Sequence, residues 1–533
     1  MLLRGYYIFH ATIDSDEPQH LHVTWAWTKG LLQYRDVFDN HTPLFHLLTA
    51  PILSALGEQA GIIPWMRLAM VPFFLFCLWC VYRLGRRLFS EEVGGWAMIV
   101  AGFLPRFFII AGQYRSDDLW VALWLATLVV LVERRLSVWR LFFAGFLIGC
   151  MLTTSLKTSI LLIALAVASA GVWFASLRAK SCARSGRMAW KHIAGLLAGA
   201  LIAPLLLLAY YYKQHALPAL IQETVFHNYV PRLGQWKNWR MAWFFPVEVV
   251  ALLSISLPLW RSSPLLELRQ RRVLVFLSGG LYLALLVSFW PLLAPESFLP
   301  FYPIAALFLT AFILAAYPRF LGVKRVILSA LVAIEVATII ATNPPRRQGT
   351  IAEKMLLADV LRLTGPDDYV MDGKGETIFR RRAFFPIFEH ITRNRLALGL
   401  TPDSMPADLV ATRTCVATTF HPFTKQDTSF IDKNYLPVGP LSVVGQILSA
   451  TSGAKAIKFQ IVIPASYAII SKSGPATGML DGKPYSGAIF LEAGPHQFQG
   501  QFSEGRLAVV WARALELGFS PFVAKPWSVP VVY

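Results

Sequence analysis

The sequence predicts an all-α polytopic membrane bundle of about eleven transmembrane helices, followed by an external domain with an α/β part and a β part. Three observations lead there. Hydrophobic residues make up 56% of the 533 and charged residues only 15%, against roughly 45–50% and about 25% in ordinary globular chains. A soluble protein so poor in charge could not cover its own surface. Apolar runs of spanning length, about 17–25 residues, occur near 66–83, 93–112, 117–133, 139–156, 158–177, 193–212, 243–260, 273–290, 298–316 and 324–342. Hydropathy then falls, and the residues from 343 onward have ordinary soluble composition.

Each element follows in order. Residues 1–13 read as the second half of a further span, so the first helix is incomplete; they lack the length and cleavage site of a signal peptide. Alternate loops set the orientation. Loops 83–92, 134–140, 178–192, 261–272 and 317–325 hold eighteen Lys and Arg, against six in 113–116, 156–158, 213–242 and 291–297. Basic residues collect on the cytoplasmic side, so the first set is expected inside and a first loop, 14–65, outside. Within that loop a short helix is expected at 18–30, with Pro18 in its first turn. The apolar stretch 43–56 is too short to span and fits an interfacial or re-entrant helix.

Residues 1–342 are therefore expected to form the transmembrane domain, and 343–533 an external soluble one. Asn-Pro-Pro-Arg-Arg at 343–347 reads as the linker. An α/β part at about 348–455 should carry a helix near 349–363 and a strand at 369–372. A β-sandwich-like part at about 456–533 contains Asp481-Gly482, a hairpin signal.

The net charge of +18 reflects the cytoplasmic loops and not nucleic acid, since no basic stripe interleaves with exposed aromatics. Cys77 and Cys80 form a C-x-x-C inside an apolar run and read as small buried hydrophobes. Only Cys415 lies in the tail, so no disulfide can form within it.

Chemistry is expected at the outer helix ends, where charge stands out against apolar spans. The first acidic cluster is Asp14, Ser15, Asp16 and Glu17, followed by His20 and His22. The second is Arg115, Ser116, Asp117 and Asp118, opening the span to Glu133. Ser116 as a helix N-cap with acids in the first turn explains the second without any site. Two clusters on one face suit acid–base chemistry, which needs converging carboxylates. Loop 213–242 offers His227, Asn228, Arg232, Lys237 and Arg240 as a phosphate or sugar lip, or as interfacial anchors. Glu296 and Tyr302 sit at another outer helix end, and Lys157 in a short outer turn. His20 and His22 with Asp16 could hold a divalent metal ion, although residues i and i+2 do not share a helix face. No other cofactor is indicated.

The run DEPQHLHVTWAWTKGLLQYRDVFDNHTPLFHLLTAPIL, with YRSDDLWVALWL and ESFLPFYPIAALFL, resembles the GT-C superfamily of membrane glycosyltransferases. The bacterial relatives of protein O-mannosyltransferases and of the lipid A aminoarabinose transferase are the most similar. The resemblance covers roughly residues 10–320. It implies a GT-C-type bundle that transfers a hexosyl or pentosyl group from a polyprenyl-phosphate-linked donor to an envelope acceptor, whether protein, lipid or glycan. It places that reaction on the periplasmic or extracellular side of the bacterial inner membrane. By the same resemblance Asp16 is the general base with Glu17 beside it. Asp118 gives the better register to the family's second aspartate, through Ala122 and Trp124, and Asp117 is its neighbour. Arg115 is a phosphate-binding or orienting group. Where the family has a Glu-Lys-Pro-Pro-like segment, this chain has Asn40, His41, Thr42 and Pro43, so the lysine's role would fall to His41. The rival reading is a lipid-linked sugar flippase or transporter. Those show broken helices and ionisable groups at the midplane, and the acids here lie at helix ends.

Overall fold

The computed structural model describes residues 1–133, 137–178, 190–237, 240–316, 321–344, 349–418, 422–448, 456–500 and 506–522. The expected linker and the loops 134–140, 178–192 and 317–325 lie partly outside these residues. Packing divides the chain into two units. One holds Met1–Thr12, Asn40–Ile52 and Ile63–Arg347; the other holds Ile13–Asp39, Leu53–Ile62 and Gln348–Tyr533. The second unit thus combines residues of the expected first loop with those of the expected tail.

Among the described residues, six helices are long and apolar enough to cross a membrane: Ile62–Leu88, Thr158–Ser176, Trp190–Lys213, Met241–Arg261, Leu266–Phe289 and Gly322–Thr342. The chain is an integral membrane protein. Shorter apolar helices are Leu44–Leu56, Val138–Leu152 and Tyr302–Ala316. The span expected near 93–112 divides into Glu91–Phe103 and Pro105–Ile110, because Pro105 has no N–H to continue the ladder. Helix Ser116–Leu131 is apolar on every face, with Trp120, Trp124, Leu125 and Leu128 fully buried. Such a helix belongs at the centre of a bundle, and it carries its first-turn acids inward with it.

Val138–Leu152 packs along Trp190–Lys213 through glycines. A Cβ on Gly145 would stand 2.9 Å from the Ala200 nitrogen, and one on Gly199 2.8 Å from that of Phe146. Only hydrogen fits there, the small-residue contact by which membrane helices approach closely. Cys77 and Cys80 are buried and unbridged in the apolar core, as read from the sequence. Arg83 and Arg87 pair with Glu133 at 3.1 and 3.3 Å, and Lys324 with Glu92 at 3.2 Å.

Among the described residues of the second unit, helix Ile351–Leu363 precedes twelve strands: β1 Val370–Met371, β2 Val416–Thr418, β3 Tyr435–Pro437, β4 Leu441–Leu448, β5 Ile457–Ile461, β6 Ala465–Ser471, β7 Gly474–Pro475, β8 Gly478–Leu480, β9 Lys483–Tyr485, β10 Ile489–Leu491, β11 Gly494–Gly500 and β12 Leu507–Trp511. One sheet runs β1-β2-β4-β12-β6-β10, with β3 on β4 and β7 on β6; the other runs β5-β11-β8-β9. Among these described strands β1 and β2 pair in parallel and the other pairs are antiparallel. Phe459, Leu480 and Phe498 of the smaller sheet share one core with Val444, Tyr467 and Val509 of the larger. Strand β12 lies between β4 and β6, so strands from both expected parts of the tail belong to one sheet. The β8–β9 turn is the Asp481-Gly482 hairpin, with φ of +51° and +78°, the left-handed pair that such a turn demands.

Candidate active site

Helix Asp16–Thr28 starts two residues before the expected 18–30. Asp16 and Glu17 thereby occupy the first turn, where the helix dipole favours carboxylates. The Asp16 N–H donates to Asp14 Oδ1 at 3.0 Å. Glu17 is fully buried, and its Oε1 accepts the Asp14 N–H at 3.0 Å. The Asp16 carboxylate forms an ion pair with Lys374, a residue the sequence reading did not single out.

Lys374 comes from a tight loop whose polar ends fold inward. Asp372 is fully buried and accepts from the N–H groups of Gly375 and Thr377 at 2.9 Å, from Thr377 Oγ1 at 2.6 Å and from Arg382 Nε at 2.6 Å. Glu376 accepts from the N–H groups of Gly373 and Lys374 at 3.0 and 2.7 Å, and from Thr418 Oγ1 at 2.9 Å. His22 Nδ1 lies 2.8 Å from the Ile378 carbonyl oxygen, which can only accept, so that nitrogen carries the proton. Burial holds the His22 ring below its ordinary pKa, against the pull of Asp372. Glu58 ties the same surfaces together, binding Trp25 Nε1 at 3.0 Å, Lys29 at 2.9 Å and Arg380 at 2.9 Å. Burial pushes its carboxyl up, but these three donors outweigh that and hold it below the usual range.

The second cluster lies in the transmembrane unit. Helix Ser116–Leu131 is capped at Arg115, with no side-chain capping bond, so Ser116 is not the N-cap that the sequence suggested. Asp117 and Asp118 are both buried. Arg115 joins Asp117, at 3.4 Å, to Glu296, at 3.2 Å, and Lys157 reaches Asp117 at 3.6 Å. Four residues scattered over 180 positions of sequence thus form one ionic group, three of them among the expected site residues. Asp118 acts electrostatically on Arg4, a buried arginine stacked on Phe74 and Phe108. A charge at position 4 of an apolar segment is itself a signal, and it went unread.

The remaining expected residues are more dispersed. Tyr302 opens helix Tyr302–Ala316 and stacks on Phe298, beside the short turn that holds Glu296. His227 is buried 3.5 Å from Glu223, and its neighbour Asn228 donates to the Asn40 carbonyl at 3.1 Å. His41 is half-buried next to that contact. Arg232 and Lys237 are exposed. Among the described residues, no group of three His, Cys, Asp or Glu side chains is placed to hold a metal ion.

The chain thus sets a buried helix with acids in its first turn among apolar helices, and builds its second unit on two sheets. No family model matches the sequence, and no curated protein matches it. ArnT from Cupriavidus metallidurans bound to undecaprenyl phosphate shares the fold, with a TM-score of 0.55 and 13% identity over 83% of this chain and 96% of that one. The same ArnT in the apo state gives 0.53 and 14% over the same shares. An oligosaccharyltransferase from Archaeoglobus fulgidus, in complex with Zn and sulfate, reaches only 0.38 at 12% identity over 71% of this chain and 61% of that one.

Proposed function

We propose that this chain is a membrane glycosyltransferase that moves a sugar from a polyprenyl-phosphate-linked donor to an envelope acceptor on the outer side of the bacterial inner membrane. The observation that carries the reading is the pair of carboxylate-bearing helix starts, Asp16–Thr28 and Ser116–Leu131, on a fold shared with an ArnT solved with undecaprenyl phosphate. Outside the cytoplasm there is no pool of nucleotide sugars, so a lipid-linked donor suits the chemistry. Asp16 acts as base on the acceptor hydroxyl, with Glu17 beside it. Asp118, or Asp117 next to it, orients substrate in the transmembrane unit together with Arg115 and Glu296. His41, His227, Arg232, Lys237 and Tyr302 serve donor or acceptor binding.

The test is to incubate the purified full-length protein with a labelled polyprenyl-phosphate sugar and envelope extract, and to follow release of lipid phosphate. Acceptor-dependent release is expected. Donor binding or translocation without such release would sink the transferase reading in favour of a flippase.

A further inference from the structure

Lys374 Nζ binds Ser15 Oγ at 2.8 Å and also pairs with the Asp16 carboxylate. Both side chains stay open to solvent, with 14% of the Lys374 surface and 23% of the Asp16 surface accessible. The loop that presents Lys374 does not depend on that pair. Asp372 and Glu376 close it internally, and His22 binds it at Ile378. Gly375, at φ +83°, seats directly on the helix, where a Cβ would stand 3.2 Å from Gln19 Cα. The loop therefore holds the Lys374 backbone without help from the ammonium group, which ends an intrinsically flexible four-carbon stem.

This arrangement conflicts with a base unless the cation leaves. A carboxylate paired with an ammonium group holds protons less readily, so Asp16 in this pairing is a poor proton acceptor. The reaction brings its own competing anion, the phosphate of the donor. We infer that Lys374 is a donor-operated release for Asp16: it pairs with Asp16 in the resting enzyme and passes to the lipid-linked phosphate when donor binds. The inference rests on the transferase reading with Asp16 as base. In the step itself the acceptor O–H proton goes to Asp16 and the acceptor oxygen bonds to the anomeric carbon. The anomeric carbon–oxygen bond breaks with its electron pair going to the phosphate, where Lys374 offsets the added charge.

The test uses the full chain in detergent, with polyprenyl monophosphate as the binding probe and labelled donor for kinetics. Lys374→Met should melt as the wild type and bind polyprenyl monophosphate about 10- to 100-fold more weakly, and Lys374→Arg should retain most of that binding. Asp16→Asn should bind the same probe more tightly than wild type, because the lysine has lost its competitor. In Lys374→Met the acid limb of kcat/KM, which reports the free enzyme, should move up by about one pH unit while that of kcat stays. Unchanged probe binding in Lys374→Met, weaker binding in Asp16→Asn, or equal movement of both limbs would overturn the release. Turnover by Asp16→Asn above about a tenth of wild type would instead remove the base assignment, and the release with it, whatever Lys374→Met does.

Discussion

Helices Asp16–Thr28 and Ser116–Leu131 both carry carboxylates in their first turn, and the molecule treats them differently. Ser116–Leu131 is buried along nearly its whole length, and its Asp117 side chain, 7% accessible, is held by Arg115 and Lys157. Asp16 is 23% accessible and pairs with a lysine from a distant loop. The first arrangement fixes charge inside a bundle, where low polarity makes any displacement expensive. The second leaves charge adjustable at a wetted edge. A group meant to gain and lose a proton belongs in the second setting, and a group meant to hold geometry in the first.

The largest effect that would break this comparison is at Asp16. Asp16→Asn keeps shape but not basicity and should lower kcat by about 10²–10⁴, with donor still bound and the melting temperature unchanged. Next comes the fixed cluster. Arg115→Met leaves Asp117 and Glu296 without their shared cation and should cost about 3 kcal/mol of stability, read by melting, while Asp118→Asn should raise the acceptor KM as well as lower kcat. If Arg115→Met melts normally, the cluster is not the rigid element described.

A buried carboxyl outside both helices shows the direction in which burial acts. Burial foremost, with Asp403 adding to it, pushes the fully buried Asp427 up to about 6 from 3.8, against the Thr424 hydroxyl. The folded chain then binds this proton more tightly than the unfolded chain. The contribution of this carboxyl to stability is therefore greatest at acid pH and is lost as pH rises from about 4 through 6. Asp427→Asn should remove that fall and be the more stable form at pH 7.5, as melting across this range would reveal. The smallest effect concerns the Lys374 loop. Gly375→Ala meets both a positive φ and the Gln19 backbone, should cost about 1 kcal/mol, and should weaken turnover less than Lys374→Met does.

The elements readable from sequence are those with local signatures. The apolar runs gave the membrane helices, Asp481-Gly482 gave its hairpin, and acids beside Arg115 gave most of one ionic group. The partners came from elsewhere. Lys157 and Glu296 reach Asp117 and Arg115 across separate turns, and no periodicity links them. Lys374 meets Asp16 across 358 residues, and its loop DGKGET carries a legible sign only in hindsight: acids placed to accept their own backbone N–H groups around glycines. The cap lies one residue earlier than expected, at Arg115, whose side chain is engaged by Asp117 and Glu296.

The separation of Lys374 from Asp16 also has a cost in time. Helix Asp16–Thr28 buries His20, His22 and Trp25 in the finished protein, yet its partners near Ile378 are translated some 350 residues later. At about 5–20 residues per second, that helix waits roughly 20–70 s beside an inserting membrane domain before its docking surface exists. Strand β12 comes later still, and until it fills the gap between β4 and β6 both strands present open edges, which are templates for mispairing.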